Sequence, residues 1–350
     1  MTPILSKSPK AQNAYEIVKN LQHALVSAMD RIPPTRQNSR FIPVTWLRAQ
    51  GRFGGGMRLM SEDRTVFNRA SVNISQVQYE DDPSKKLGSA SAISAIIHPL
   101  HPQAPSIHMH VSWTEMKDGQ GYWRLMADLN PSIVRSEHAQ IFRTTLQEAA
   151  GDLFEEASTQ GDQYFYIPAL GRHRGVTHFY LEQISRDTQQ DALLAQNLGT
   201  KVIHCYADLI HGVLQHAAPP TAAEKKTQLE YHSLYFLQVL TLDRGTTSGL
   251  LVHDENDVGI LGSLPSHVDK ALLTSWIPRH HLLQQKLLKG ILALLPDGPT
   301  SLVDDGIKTQ LASWMRQFYS NHPEAQDLLA RGNILPPTVA NHLGASQLSP

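Results

Sequence analysis

SAISAII, from Ser91 to Ile97, and SIHMHVSWTE, from Ser106 to Glu115, decide the fold. The first is rich in β-branched residues and the second alternates apolar with polar, as half-buried strands do. The segment between them, HPLHPQAP from His98 to Pro105, carries three prolines, whose fixed φ holds the connection rigid. The pattern predicts an antiparallel hairpin. In its second strand the period of two puts Ile107, Met109, Val111 and Trp113 on a core face. His108, His110, Ser112 and Thr114 fall on the opposite, polar face.

Working outward, Val66 to Arg69 and Val72 to Val77 read as strands after a Gly54-Gly55-Gly56 turn. Tyr122 to Leu129, Gln163 to Ile167, Thr177 to Ile184 and the long apolar run Tyr231 to Leu242 are also predicted strands. Three- and four-residue spacing predicts helices over Ala14 to Ile32, stopped by Pro33-Pro34, over Ser136 to Glu156, and over Asp191 to His216 with a break near Gly199. From about Ala271 the tail is mostly helical, with Leu282, Leu283, Leu287, Leu288, Ile291 and Leu292 as its apolar stripe, and Ile334 to Pro350 reads as frayed. There is no parallel βαβ rhythm and no Gly-x-Gly-x-x-Gly after a strand, which disfavours a dinucleotide-binding fold. The expectation is an α+β protein built on a large antiparallel sheet flanked by helices, with an added helical C-terminal segment.

The 350 residues are 41% hydrophobic and 18% charged, a globular composition. The formal net charge of -1 builds in no attraction to nucleic acid or anionic membrane. A single cysteine, Cys205, rules out an intramolecular disulfide framework, and the segment after Met1 lacks the apolar core of a signal peptide. No uncharged apolar stretch reaches the roughly 18 residues of a membrane span. A reduced, soluble, cytoplasmic protein is expected. The unusual feature is the 18 histidines, clustered at His98 to His110 and at His173 to His178.

Several segments, in order, resemble the oxygen-dependent coproporphyrinogen III oxidase family. They are GGGMR from Gly54 to Arg58, Val66-Phe67, ASVNIS from Ala70 to Ser75, and SAIIHP from Ser94 to Pro99 with Pro102, Ala104-Pro105 and Ile107-His108. LDRGT from Leu242 to Thr246 and ILGSLP from Ile260 to Pro265 complete the set. The resemblance spans roughly residues 14–265. It implies a coproporphyrinogen oxidase-like domain over residues 1–296, a helical extension over 297–350 with a frayed end, and a homodimer. It also implies dioxygen as co-substrate with no metal or organic cofactor. By the same resemblance His108 is the proton-transferring residue, Asp128 of Ala127-Asp128-Leu129-Asn130-Pro131 the active-site carboxylate, and Ser94 a substrate contact.

The departures bear on the substrate. The family carries Asn-x-Arg just after the histidine; this chain has His110-Val111-Ser112. Leu125-Met126-Ala127 replaces a glycine triplet, Ala169 to Gly175 and Val176-Thr177-His178 replace a more basic and glycine-rich stretch, and Glu182-Gln183 replaces paired aspartates. A late serine-arginine contact falls near Asn256. Neutral side chains cannot supply the bidentate charge of arginine toward carboxylates. The expected reaction is therefore dioxygen-dependent oxidation of a smaller, less acidic, electron-rich heterocycle, with coproporphyrinogen itself as the first alternative.

In that reading His108 and Asp128 are catalytic, and Ser94, His110, Ser112 and Arg244 bind substrate. An imidazole, which ordinarily titrates near neutral pH, suits proton transfer. Other roles stay open. His108 has a second reading as a hydrogen-bonded strand histidine, and Asp128 reads equally as a turn or cap residue and Arg244 as one half of a structural ion pair. His108 and His110 share a strand face at i, i+2 and His178 lies on another strand, so the three could hold iron or copper, with Glu182 completing a facial set. His98 and His101 are expected to serve the turn, Arg58 folding or dimer contacts, and Cys205 a buried helix face. A non-catalytic binding protein is the remaining alternative.

Overall fold

The computed structural model describes residues 2–33, 38–61, 63–335 and 337–342. Among them, seven strands form one antiparallel sheet in chain order: β1 (Phe41–Leu47), β2 (Gly54–Ser61), β3 (Phe67–Gln78), β4 (Leu87–Pro99), β5 (Ser106–Met116), β6 (Gly121–Asn130) and β7 (Thr177–Ile184). The hairpin forms as its alternation requires, with Ser94 opposite His110, and Ile96 opposite His108. Register then carries a row across the sheet: His108 lies opposite Asp128, and Asp128 opposite His178.

The helices are α1 (Pro9–Asp30), α2 (Ser136–Ala150), α3 (Phe154–Phe165), α4 (Thr188–His216), α5 (Ala222–Thr241), α6 (Arg244–Val252), α7 (Asp257–Ile260), α8 (Lys270–Trp276), α9 (Leu282–Leu294), α10 (Asp305–Asn321) and α11 (Thr338–His342). One sheet face, with Ile93, Ile107, Met109, Val111, Trp113 and Leu125, packs against α1, α2 and α4 in one apolar core. The other face carries the polar alternates and is covered by a second layer built around α5, α9 and α10. Buried Leu, Ile and Phe side chains each contribute about 1.5–3 kcal/mol, so the two cores hold the sheet from both sides. No helix among the described residues is long and apolar enough to cross a membrane.

Four local expectations change. Tyr231 to Leu242 is the second half of α5 and the residue just after it, not a strand. A continuous apolar run is ambiguous by periodicity alone; the Thr221–Glu224 capping box upstream starts a helix whose second half is buried all round. Helix α4 runs unbroken through Gly199, because a Cβ there would come within 2.7 Å of Leu21 on α1. That glycine serves a close helix approach rather than a break. Gln163 to Ile167 is mostly the end of α3, followed by a two-residue strand at Tyr166–Ile167.

The glycine triplet lies inside β2, not in a turn, and its partner β1 was not anticipated. At Gly56 a Cβ would meet the Ile74 carbonyl at 2.3 Å and the Trp46 indole nitrogen at 2.7 Å. The missing side chain lets Trp46 cross β2 and donate its indole N–H to Asn73 Oδ1 at 3.2 Å. Helix α1 ends at Asp30, before Pro33; Pro34 lies outside the described residues. Most of the stretch expected to fray, Ile334 to Pro350, also lies outside them, but its residues 338–342 are helical.

Candidate active site

Between the polar sheet face and the second layer lies a cavity of about 280 Å³. Ser94, His108, His110, Ser112, Arg124 and Arg174 are among its lining residues. Period-two alternation puts the first four there; β6 brings Arg124, and the loop before β7 brings Arg174.

The organising carboxylate is Asp128, fully buried on β6. Its Oδ1 lies 2.6 Å from His108 Nδ1, and its Oδ2 accepts from Arg174 Nη2 at 2.5 Å and Asn130 Nδ2 at 2.5 Å. Burial alone would raise its pKa. The Arg174 charge, then His108, and the hydrogen bonds from His108 and Asn130 outweigh that and hold it well below the usual carboxylate range. An ionised carboxylate only accepts, so His108 Nδ1 carries the proton and Nε2 is left as the basic nitrogen.

Arg174 is equally constrained. Its guanidinium lies between the Phe165 ring, 4.3 Å to the centroid, and the Tyr235 ring, 4.7 Å, and donates Nη1–H to Gln238 Oε1 at 2.7 Å. Burial works against its charge, but Asp128 raises its pKa on balance. The sandwich fixes Arg174, Arg174 fixes Asp128, and Asp128 fixes the His108 ring.

Further along the trough, His110 Nε2 meets Ser112 Oγ at 3.0 Å. Burial, then Arg124 and His108, lower the His110 pKa well below the ordinary imidazole value, so the ring is neutral at neutral pH. Ser94 stands exposed beside it on the cavity floor. Arg124 pairs with Glu182 through two bonds, at 2.5 and 3.0 Å, and the Tyr180 hydroxyl donates to the same carboxylate at 2.5 Å.

Arg244 lines the cavity, but its guanidinium donates to the carbonyls of Gln326, Leu329 and Ala330 at 3.0 to 3.2 Å. Neighbouring Asp243 caps α6 through Thr246 N–H rather than pairing with it. His178 Nδ1 lies 2.7 Å from Asp162 Oδ1, on the far side of Asp128, and Glu182 is committed to Arg124. The imagined set of His108, His110 and His178 with Glu182 is therefore not gathered: among the described residues no group of three or more His, Cys, Asp or Glu side chains could share a metal ion.

His98 is buried between Ser106 Oγ at 2.9 Å and the Ser263 carbonyl at 3.1 Å, and His101 meets the Ala218 carbonyl at 2.9 Å. Arg58 is buried and reaches Asn256 Oδ1 at 3.4 Å. Burial raises the Cys205 thiol, which sits on α4 behind the opposite sheet face.

Sequence reasoning did not single out Arg174, Gln238, Arg124 or Trp46. Arg174 sits in an Arg172-His173-Arg174 run whose middle and ends look alike in one dimension. For Arg124 the signal was present, because on β6 it shares Asp128's alternation across Met126.

The sequence profile of the coproporphyrinogen III oxidase family matches residues 13–276. The chain is 28% identical over 246 residues to the mitochondrial oxygen-dependent coproporphyrinogen-III oxidase of Homo sapiens, covering 63% of this chain and 53% of that protein. It is 29% identical over 245 residues to the oxygen-dependent coproporphyrinogen-III oxidase of Rickettsia akari, covering 66% and 85%. The chain thus spans about half the length of the mammalian relatives it matches. A profile match over three quarters of the sequence, on an antiparallel sheet flanked by helices, makes this chain a member of the coproporphyrinogen III oxidase family.

Proposed function

We propose that the protein is a dioxygen-dependent oxidase, without metal or organic cofactor, acting on an electron-rich heterocycle smaller and less acidic than coproporphyrinogen. The observation that carries the substrate reading is the charge state of the cavity. Its three lining guanidiniums, Arg124, Arg174 and Arg244, are all engaged within the protein. Glu182 pairs with Arg124 and Asp128 with Arg174, while Arg244 is held by three backbone carbonyls. None of the three is therefore positioned to give a substrate carboxylate the free bidentate fork that a polycarboxylate needs. The volume of about 280 Å³ also lies at the lower end of the roughly 300–1,000 Å³ of sites for drug-sized ligands.

In this reading His108 Nε2 takes the proton from a ring N–H while two electrons and a second proton, from an adjacent C–H, leave the heterocycle. Dioxygen accepts the two electrons and these two protons and becomes hydrogen peroxide. Asp128 and Arg174 hold the His108 ring through Nδ1, and Ser94, His110, Ser112 and Arg244 shape the pocket. Residues 1–296 form the oxidase-like domain and 297–350 its helical extension. The chain works in the cytoplasm as a homodimer, and pairing is supported by Ile42 and Val44, 47% and 37% exposed on edge strand β1.

The test is oxygen uptake with coproporphyrinogen III and with mono- and dipyrroles bearing one carboxylate or none, alongside a relative that turns over coproporphyrinogen. Uptake and peroxide with a small pyrrole, at a kcat/KM at least tenfold above that for coproporphyrinogen III, is expected. Turnover of coproporphyrinogen III equal to the relative's overturns the substrate reading; ligand-induced thermal stabilisation without oxygen uptake from any compound overturns the enzyme reading.

A further inference from the structure

We propose that α11, the last described helix, is the end wall of the cavity and sets the length of substrate it accepts, with Thr338 and Asn341 as specificity-determining residues. This rests on the cavity being the substrate site. The helix lies beyond the family match at residues 13–276, yet Thr338, Asn341 and His342 line the cavity. A wall contributed from outside the shared fold can differ between relatives while the sheet floor stays the same.

The helix is fastened at two points. His342 is buried, its Nδ1 3.1 Å from the Tyr79 hydroxyl, with its ring edge-on to Tyr79 at 5.7 Å and to His253 at 5.3 Å. Arg124 Nη2 donates to Thr338 Oγ1 at 3.4 Å. Tyr122, Thr114 and Asn341 line the cavity together at this end.

Position along the strands gives the wall its meaning. His108 and Thr114 lie on the same face of β5, six residues apart, which is about 20 Å of strand. A two-ring substrate with its reacting N–H at His108 need span only the four residues, about 14 Å, to Ser112, opposite Arg124, where Thr338 makes contact. There it meets the neutral hydroxyl and amide of Thr338 and Asn341, with Arg124 already neutralised by Glu182. The wall suits a neutral hydrogen-bonding end group and blocks a longer molecule.

The test reads geometry rather than turnover. In a Thr114→Cys protein, alkylation by iodoacetamide is compared with alkylation by the bulkier fluorescein maleimide, each relative to free cysteine. The expected result is at least a tenfold bias toward the small reagent in the full chain. In Thr114→Cys/His342→Ala, and in a chain ending at Leu335, that bias falls toward one. Cys205, on the opposite sheet face, is the control and keeps its rates. A bias that is absent from the full chain, or unchanged once the helix is released, overturns the proposal. Should the Cys205 rate also rise in those variants, Tyr79→Phe, which removes only the hydroxyl, decides: an undiminished bias there overturns it as well. An inactive protein with a size-selective wall would sink the oxidase reading alone, and an active one without size selection would sink this one alone.

Discussion

His108 Nδ1 and Asp128 Oδ1 are 2.6 Å apart because the two residues are direct cross-strand partners on β5 and β6. The contact is set by sheet register, the least adjustable relationship in the fold: a one-residue slip would turn both side chains into the apolar core. Replacing His108 by Ala should leave folding and ligand binding intact and lower oxygen uptake about 10²- to 10⁴-fold, the usual contribution of a positioned acid or base. Steady-state rates together with a thermal-shift measurement of ligand binding check it, and a loss below tenfold would remove His108 from proton transfer.

Asp128→Asn keeps the shape but leaves Arg174 buried without its counter-charge. Breaking such a pair costs about 3–5 kcal/mol, measurable by urea unfolding at pH 7. The sign with pH follows from the depressed carboxyl. Its contribution is complete above the ordinary carboxyl value of about 3.9 and is lost as pH falls toward the lower folded value. The stability gap between the two proteins should therefore narrow below about pH 4.

Arg174→Lys tests the sandwich between Phe165 and Tyr235. An ammonium cannot stack as a plane and cannot serve Asp128 and Gln238 together. A stability loss of about 2 kcal/mol, the scale of a desolvated cation–π contact, is expected with a clear fall in kcat. Wild-type rates would place Arg174 outside the device that holds His108.

Four histidines with depressed pKa values predict acid lability. Burial is the leading cause in each: it lowers His98 and His110 well below the ordinary value, and His232 and His342 to about 3. The unfolded chain takes up these protons near pH 6.5 while the folded chain does not. Stability is thus lost as pH falls from about 6.5 toward 3, by about 1.4 kcal/mol per unit for each histidine. Replacing His232 by Leu should flatten the slope of unfolding free energy between pH 6.5 and 4.5 by about that amount.

Gly56→Ala should destabilise the protein by about 1–3 kcal/mol, the range for overpacking, since its Cβ would lie 2.3 Å from a backbone oxygen. Tryptophan fluorescence should change with it as Trp46 shifts off Asn73. Unchanged stability would mean that β2 has room the register does not show.

Much of the sheet could be read in one dimension, because strand alternation is a local property. The polar row of His108, His110 and Ser112 follows from a period of two, and the hairpin from two such runs around a proline-rich connection. Helix α5 could not be read that way: a segment buried on all sides carries no period, and its capping box at Thr221 and Glu224 lies seven to ten residues before the apolar run at Tyr231.

The amino-acid sequence by itself determined the family, the alternating strands, and which histidines, serines and carboxylates share the polar face, since these depend on residue order and spacing. Tertiary structure alone decided how they are used. It sent Arg244 to the backbone carbonyls of residues 326, 329 and 330, set Arg174 between two rings from different helices, kept His178 apart from His108, and brought α11 over the far end of the cavity. Each outcome joins segments tens to more than two hundred residues apart. Such contacts are chosen by burial and charge balance over the whole molecule, and local spacing carries no record of them.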